Sequence, residues 1–271
     1  MHRPLVNGTL PSVNVADFDP NTPSIARVYD YLIGGKDNFA SDRALAAQLL
    51  ARCPLLPELG RENRQFLSRA VTWAANQGIS QFVDLGCGMP TEPNTDESAT
   101  AVIADARVVY VDIDPVVITH LRERLAKGKR GITVVDGDTS DVDAILAEVH
   151  TGVDLSAPVC LVMGALLHFY SPQAARDLVA GYVAALAPGS CLVLSIGRGD
   201  GEEAERAFGT YSEDVARSYN HSIDEFTSFF GSLELVPPGV VDARRWRPGW
   251  EQAIPLPPRD RQAVVGVARV G

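Results

Sequence analysis

The chain has no surplus of positive charge, no long apolar run and no paired-cysteine motif. Its 34 Asp and Glu outnumber 24 Lys and Arg, giving a net charge of −10. Proteins that live on phosphate backbones carry the opposite sign, so nucleic acid is not the expected partner. No apolar run approaches the ~20 residues needed to cross a bilayer, which argues against a membrane-spanning helix. Met1 to Pro11 contain no apolar stretch of the kind a secretory signal needs, so a cytoplasmic location is expected. Cys53, Cys87, Cys160 and Cys191 are widely spaced, and three of them sit in apolar or glycine-rich strand-like contexts. They read as reduced, buried thiols. Five scattered histidines do not complete a zinc ligand set, and no metal is expected.

What is present is the composition of a folded chain. With 46% hydrophobic and 21% charged residues, disorder of the whole is excluded, and 271 residues suffice for one large domain or two small ones. Residues 1–22, with Pro4, Pro11 and Pro20, read as an irregular arm. Residues 23–78 read as a helical cap. Thr22 and Pro23 open a first helix with Ile25, Val28, Tyr29, Leu32 and Ile33 at helical spacing, and Gly34-Gly35 stop it. Ser41 starts a second, and Arg61 to Asn76 forms a third. From 79 onward short apolar runs alternate with helical stretches: Phe82 to Leu85, Val108 to Val111, Ile132 to Val135, Val159 to Met163 and Cys191 to Ile196. Asp114-Pro115, Ser140 and Ser171-Pro172 mark helix starts between them. Near-continuous apolar strands alternating with helices predict a doubly wound α/β domain with a parallel sheet. Glu202 to Tyr219 reads as a helix, Ser222 to Glu225 as a capping box, and Leu233 to Val236 and Ala263 to Ala268 as two last strands. The stretch between those strands, Pro237 to Pro258, is rich in proline and arginine.

Three acidic clusters fall at predicted strand ends. The first is Asp84-Leu85-Gly86-Cys87-Gly88, where glycines let a ligand approach the backbone. The second is Asp112-Ile113-Asp114, about two dozen residues on, where Asp112 suits the two hydroxyls of a ribose and Asp114 suits a helix cap. The third is Asp136-Gly137-Asp138-Thr139, which either accepts from a purine amine or simply starts the next helix. Together they describe a nucleoside pocket at the carboxyl edge of the sheet. The third glycine of a dinucleotide fingerprint is missing, since Met89-Pro90-Thr91 follows Gly88. That favours S-adenosylmethionine over NAD.

The pattern Asp-x-Gly-x-Gly, then Val-Asp-x-Asp-Pro, then Asp-Gly-Asp resembles the class I S-adenosylmethionine-dependent methyltransferases. Four stretches, Pro23 to Phe39, Gln81 to Thr91, Leu166 to Phe169 and Trp246 to Gly249, more narrowly resemble an actinobacterial methyltransferase-like family first catalogued as a domain of unknown function. The resemblance runs from about Pro23 to the end. It implies a seven-stranded, Rossmann-like, mostly parallel sheet whose last strand is antiparallel. It also implies S-adenosylmethionine contacts at Asp84, Gly86 and Gly88 for the methionine end, Asp112 for the ribose, and Ile113, Asp138 and Thr139 for the adenine. Gly164 and Ala165 are then expected to pass near the sulfonium. The chain departs from the family at Asp96 and at Ile196-Gly197, where a histidine often stands.

Other candidates concern the acceptor. Tyr31, Lys36 and Asn38 either line its side of the pocket as part of a lid or belong to a solvated turn after the Gly-Gly stop. His168 is either a general base or a packed residue between Leu167 and Phe169. The basic groups Arg122 to Arg130 and Arg244 to Arg247 read as solvated faces. The expected function is methyl transfer to an unidentified small molecule. A non-catalytic S-adenosylmethionine or S-adenosylhomocysteine sensor and an NAD-dependent oxidoreductase are the alternatives. The oligomeric state is open at this point.

Overall fold

The computed structural model describes residues 18–128, 130–200, 202, 208–209, 217–247 and 261–271. Residues 1–17 of the expected arm, Lys129, most of the expected helix over 202–219, and residues 248–258 of the proline- and arginine-rich stretch with Pro248 and Gly249 lie outside them.

The chain opens with α1 (Ile25–Ile33), α2 (Ala40–Arg52) and α3 (Leu56–Asn76). Then β1 (Gln81–Leu85), α4 (Thr95–Thr100), β2 (Arg107–Asp112), α5 (Pro115–Ala126), β3 (Ile132–Asp136), α6 (Val142–Val149), β4 (Cys160–Gly164), α7 (Pro172–Val183) and β5 (Cys191–Gly199) follow. The last elements are α8 (Ile223–Ser228), β6 (Glu234–Leu235), β7 (Val241–Asp242) and β8 (Arg261–Arg269). The sheet runs β3-β2-β1-β4-β5-β8-β6, with β7 also on β8. The first five strands are mutually parallel, and β8 runs antiparallel to β5. Eight strand segments make up the sheet. Leu235 pairs with Ala268 and Val241 with Val265 along one edge of β8, so β6 and β7 are a single edge strand interrupted at Pro237-Pro238-Gly239. Proline has no N–H for the ladder, and an edge position tolerates the gap.

Alternate strand residues feed two cores. Val83, Leu85, Val109 and Val111 pack with Ile145, Leu178, Tyr182 and Phe226 of α6, α7 and α8. Phe82, Val108, Tyr110 and Val162 pack with Phe66, Ala70 and Ala74 of α3 and with Val117 and Leu121 of α5. Both faces being covered explains the unbroken apolar runs. A third, small core of Val28, Leu32, Leu45, Ala46 and Leu49 belongs to α1 and α2 alone.

Several helix starts lie where the sequence puts them. Asp114 accepts the Val116 N–H at 2.8 Å ahead of Pro115, Ser171 caps α7, and Ser222 and Glu225 cap α8 reciprocally. Four differ. The residue before α1 is Ser24, not Thr22, and its hydroxyl bonds Asp114 instead of its own helix. Ser41 does not cap α2; its hydroxyl donates to the Pro20 carbonyl, and Asp42 accepts the Phe39 N–H instead. The cap of α6 is Asp141 rather than Ser140. The third helix begins at Leu56, ahead of Arg61. Helix α4 was not legible as a helix; Asn94 and Glu97 close it by exchanging bonds, with Glu97 Oε2 accepting the Asn94 N–H at 2.9 Å.

Candidate functional site

Strand order reverses between β1 and β4, which opens a crevice at their carboxyl ends. A cavity of about 320 Å³ lies there. Its walls are the loops that leave four parallel strands, and it is bounded further by α3 and by residues 18–27 ahead of and within α1.

The loop after β1 turns at Gly86, with φ 64°; a Cβ there would meet Leu166 at 2.8 Å. Only glycine accepts both constraints. Asp112, 5% exposed, ties that loop to the next one: Oδ2 accepts the Gly88 N–H at 2.8 Å and Oδ1 accepts the Asp114 N–H at 2.9 Å. A carboxylate offers about four lone-pair positions. Two are taken by backbone, and the Cys87 thiol lies 3.9 Å from Oδ2; the acceptor capacity that remains suits a donor such as a ribose hydroxyl. Burial pushes the Asp112 carboxyl up to about 6 despite backbone bonds from Asp114, Gly88 and Ile113. Asp84, also 5% exposed, accepts the Thr95 hydroxyl at 2.6 Å; burial raises its pKa, and the nearby Arg64 charge opposes the rise.

The third wall is Gly137 and Thr139. Thr139 is held from behind by two phenols: its hydroxyl pairs with the Tyr170 OH at 3.0 Å, and its carbonyl accepts from Tyr182 at 2.8 Å. The fourth is Gly164, Ala165 and Leu166. Ala165 has φ 55°, a left-handed conformation that costs a residue with a Cβ about 1 kcal/mol. Its N–H is fixed by Ser195, whose backbone and side-chain oxygens both lie at 3.0 Å.

Of the expected cofactor residues, the structure brings Asp84, Gly86, Gly88, Asp112, Ile113, Thr139, Gly164 and Ala165 to this cavity. Asp138 is not on its wall; its carboxylate accepts the Ser140 N–H at 2.8 Å and shapes the turn. Tyr31, Lys36 and Asn38 do not reach the cavity either. Tyr31 and Lys36 are exposed, and Asn38 donates to Asp30 at 2.9 Å. The turn they occupy is wrapped around the buried Asp30 carboxylate, which also accepts the Asp37 N–H at 3.0 Å. His168 likewise stays off the cavity wall. It sits in the turn Leu167–Phe169 with its ring against Phe169 and Phe208. Burial, reinforced by His221, lowers its pKa to about 4, so it is a neutral packed ring rather than a base poised near pH 7.

What the sequence did not reveal is the roof and the floor. Arg27, 3% exposed, donates to Asp42 at 3.0 Å and to the Thr22 carbonyl at 2.7 Å, and its guanidinium lies 5.3 Å from the Phe18 ring and 5.1 Å from the Phe39 ring. Asp42 also accepts the Ser24 N–H at 2.9 Å, and Ser24 bonds Asp114. This network clamps residues 18–26 over the Asp112 side of the cavity. On the other side stand Tyr29, Asn63 and Arg64. Tyr29 donates to the Gly60 carbonyl at 2.9 Å and accepts from Asn63 at 3.1 Å, while Arg64 donates to the Thr91 carbonyl at 2.7 Å. Asn63 and Arg64 sit mid-helix without a recognisable motif, so no local signal marks them.

The walls fit S-adenosylmethionine. A cleft of ligand size has the buried Asp112 carboxylate on one wall and buried polar atoms without partners, Asn63 Oδ1 and Arg64 Nε, on another. Comparison with known proteins agrees. Residues 12–271 match the model of the S-adenosyl methyltransferase family. The crystal structure of a candidate methyltransferase from Thermobifida fusca is similar over 92% of this chain and 96% of that one, with 40% identity and a TM-score of 0.86. That of a DUF574 family protein from Streptomyces avermitilis is similar over 93% and 99%, with 34% identity and a TM-score of 0.85. No curated protein matches. Neither the nicotinamide reading nor the non-catalytic one finds support in these matches. A match to a family model over nearly the whole chain, and two relatives above 30% identity, place this α/β protein in the S-adenosyl methyltransferase family, as an enzyme whose cofactor is S-adenosylmethionine.

Proposed function

We propose that the acceptor is a small molecule, methylated in the cytoplasm under a cap formed by residues 23–78. The observation that carries this reading is the clamped roof. With residues 18–26 drawn over the Asp112 side of the carboxyl edge by Arg27, Asp42 and Asp114, the cavity of about 320 Å³ has the dimensions of a small-molecule site among the described residues. The net charge of −10 speaks against a nucleic-acid acceptor. Four free thiols fit a reducing compartment. Among the described residues no helix is long and apolar enough to cross a membrane.

When bound, S-adenosylmethionine supplies an electrophilic methyl group on a sulfonium. The protein's own part is binding and orientation. Asp112 accepts the ribose hydroxyls, Ile113 and Thr139 flank the adenine with Asp138 shaping the turn beside it, and Asp84, Gly86 and Gly88 hold the methionine end. Gly164 and Ala165 present backbone to the reacting centre. His168 is turned away and neutral, so the chain's contribution to the transfer is in-line placement of acceptor and methyl group. The test is transfer of labelled methyl from S-adenosylmethionine to a panel of small oxygen, nitrogen and sulfur nucleophiles, with bulk protein and RNA in parallel. Label in the small-molecule fraction supports the reading. Label confined to macromolecules would sink it.

A further inference from the structure

Helix α3 lies on the sheet so closely that a Cβ at Gly164 would come within 2.7 Å of Leu67 Cδ1. That contact fixes which face of the helix meets the cavity. Asn63 is four residues before Leu67 and Arg64 three, so both stand one turn away on that face. Asn63 is 7% exposed and spends its amide N–H on Tyr29, which leaves its carbonyl oxygen buried with no partner. Arg64 holds the loop carbonyl of Thr91 with one terminal nitrogen, and its Nε is buried with no partner. Its charge is felt at Asp84, Cys87 and Tyr29, and no ion pair between Arg64 and Asp84 is present among the described contacts. A buried carbonyl and a buried guanidinium N–H left open on one wall each cost desolvation unless a ligand meets them. Beside them stands a carboxylate, Asp84, with one oxygen occupied by Thr95. Acceptor, donor and carboxylate around one end of a cavity are complementary to a zwitterion.

We propose that Asn63 and Arg64 read the amino-acid head of the cofactor, Arg64 Nε donating to its carboxylate and Asn63 Oδ1 accepting from its ammonium beside Asp84, so that the enzyme selects zwitterionic adenosyl thioethers over nucleosides that lack the head. This rests on the methyltransferase reading and adds two residues of α3 that confer selectivity. It also explains why α3 is pinned to the end of β4: the same helix that covers the sheet supplies the charge that orients the cofactor's far end.

The experiment is calorimetry with two ligands, S-adenosylhomocysteine and 5′-methylthioadenosine, which share the nucleoside and thioether but differ in the head. The parent binds the first much more tightly. Arg64→Ala weakens S-adenosylhomocysteine about 10- to 100-fold, the range for losing a charge-assisted bond, and leaves 5′-methylthioadenosine within about twofold. Asn63→Ala does the same to a smaller degree. Retained 5′-methylthioadenosine binding certifies that the variant is folded; should Arg64→Ala fail to fold, Arg64→Lys keeps the charge, lacks the Nε donor and shows a partial, head-specific loss. A parent that binds both ligands equally, or variants that lose both in equal measure, overturn this inference while leaving the family reading intact. A parent that binds neither overturns both.

Discussion

Asp112 joins two tasks in one side chain. It fastens the Gly88 and Asp114 amides and keeps acceptor capacity facing the cavity. Its carboxyl rises from 3.8 to about 6, so without cofactor the folded state holds that proton longer than the unfolded one. By linkage the Asp112 contribution to cofactor-free stability falls as pH rises from about 4 to 6. Hydroxyl donors favour the ionised form, so the cofactor binds more tightly over the same window. The thermal shift caused by S-adenosylhomocysteine is expected to grow from pH 5 to pH 7, and Asp112→Asn to flatten that growth. Asp112→Ala is expected to lose about 1–3 kcal/mol of affinity in calorimetry. At Gly35 the constraint is space: a Cβ would lie 1.9 Å from Asp30 Oδ1. Gly35→Ala must displace the buried Asp30 and its bonds to Asp37 and Asn38, a loss of about 1–3 kcal/mol in denaturant unfolding. Local spacing predicts the Gly-Gly stop, but it does not show that Lys36-Asp37-Asn38 folds back on Asp30, because the partner lies a helix turn earlier and points inward.

At the next level, α1 and α2 form a unit with its own small core, joined to the rest through the Arg27 network, the Tyr29 bond to Gly60 and the packing of Ile25, Ala26 and Leu56. Asp42 is fully buried and receives three donors, from Ser24, Arg27 and Phe39. Asp42→Ala removes the nearer partner of the Arg27 charge and leaves only Asp114, 3.6 Å away, among the described residues, so the cost is expected below the about 3–5 kcal/mol of a buried charge left wholly unpaired. The loss is expected to be local: amide exchange in 25–52 accelerates and cofactor affinity falls, while protection of the β1, β4 and β5 strands stays near that of the parent. Uniform loss of protection would show instead that the clamp supports the whole fold. Helix α3 behaves differently, because Phe66, Ala70 and Ala74 bury into the core shared with Phe82 and Val162 and make it part of the sheet's cover.

Across the molecule, the parallel sheet carries four cavity loops at one edge, and a second buried constellation lies behind it. His221, 1% exposed, meets the Leu167 carbonyl at 3.0 Å through Nε2, and Phe229 and Tyr219 flank its ring. His168 is depressed from 6.5 to about 4, mainly by burial and then by His221. A histidine held neutral in the fold loses stability on acidification: below about pH 6.5 the unfolded chain binds the proton and the folded chain does not until about pH 4. This runs opposite to the Asp112 effect. A His168→Phe variant is therefore expected to lose less melting temperature than the parent between pH 7 and pH 5. His168→Gln is expected to keep methyl transfer within about threefold, since the ring neither lines the cavity nor carries a usable pKa. A loss of 100-fold or more would return His168 to the reaction.

The strands, most helix starts and the acidic and glycine clusters at strand ends were legible because each is a local signal: an apolar run, a capping residue, a turn that needs positive φ. The α/β class and most of the nucleoside pocket follow from lining those signals up along one sheet edge. The broken edge at Pro237-Pro238, the clamp of Arg27 on Asp42 and Asp114, and the placing of Tyr29, Asn63 and Arg64 against the cavity are of another kind. They depend on which helix face the packed core turns inward, and on pairs such as Ser24 and Asp114 that meet only when the start of α1 is brought to the start of α5. Tyr31, Lys36 and Asn38 share a helix end and turn with residues that do reach the cavity, and the direction of burial of α1 alone separates them.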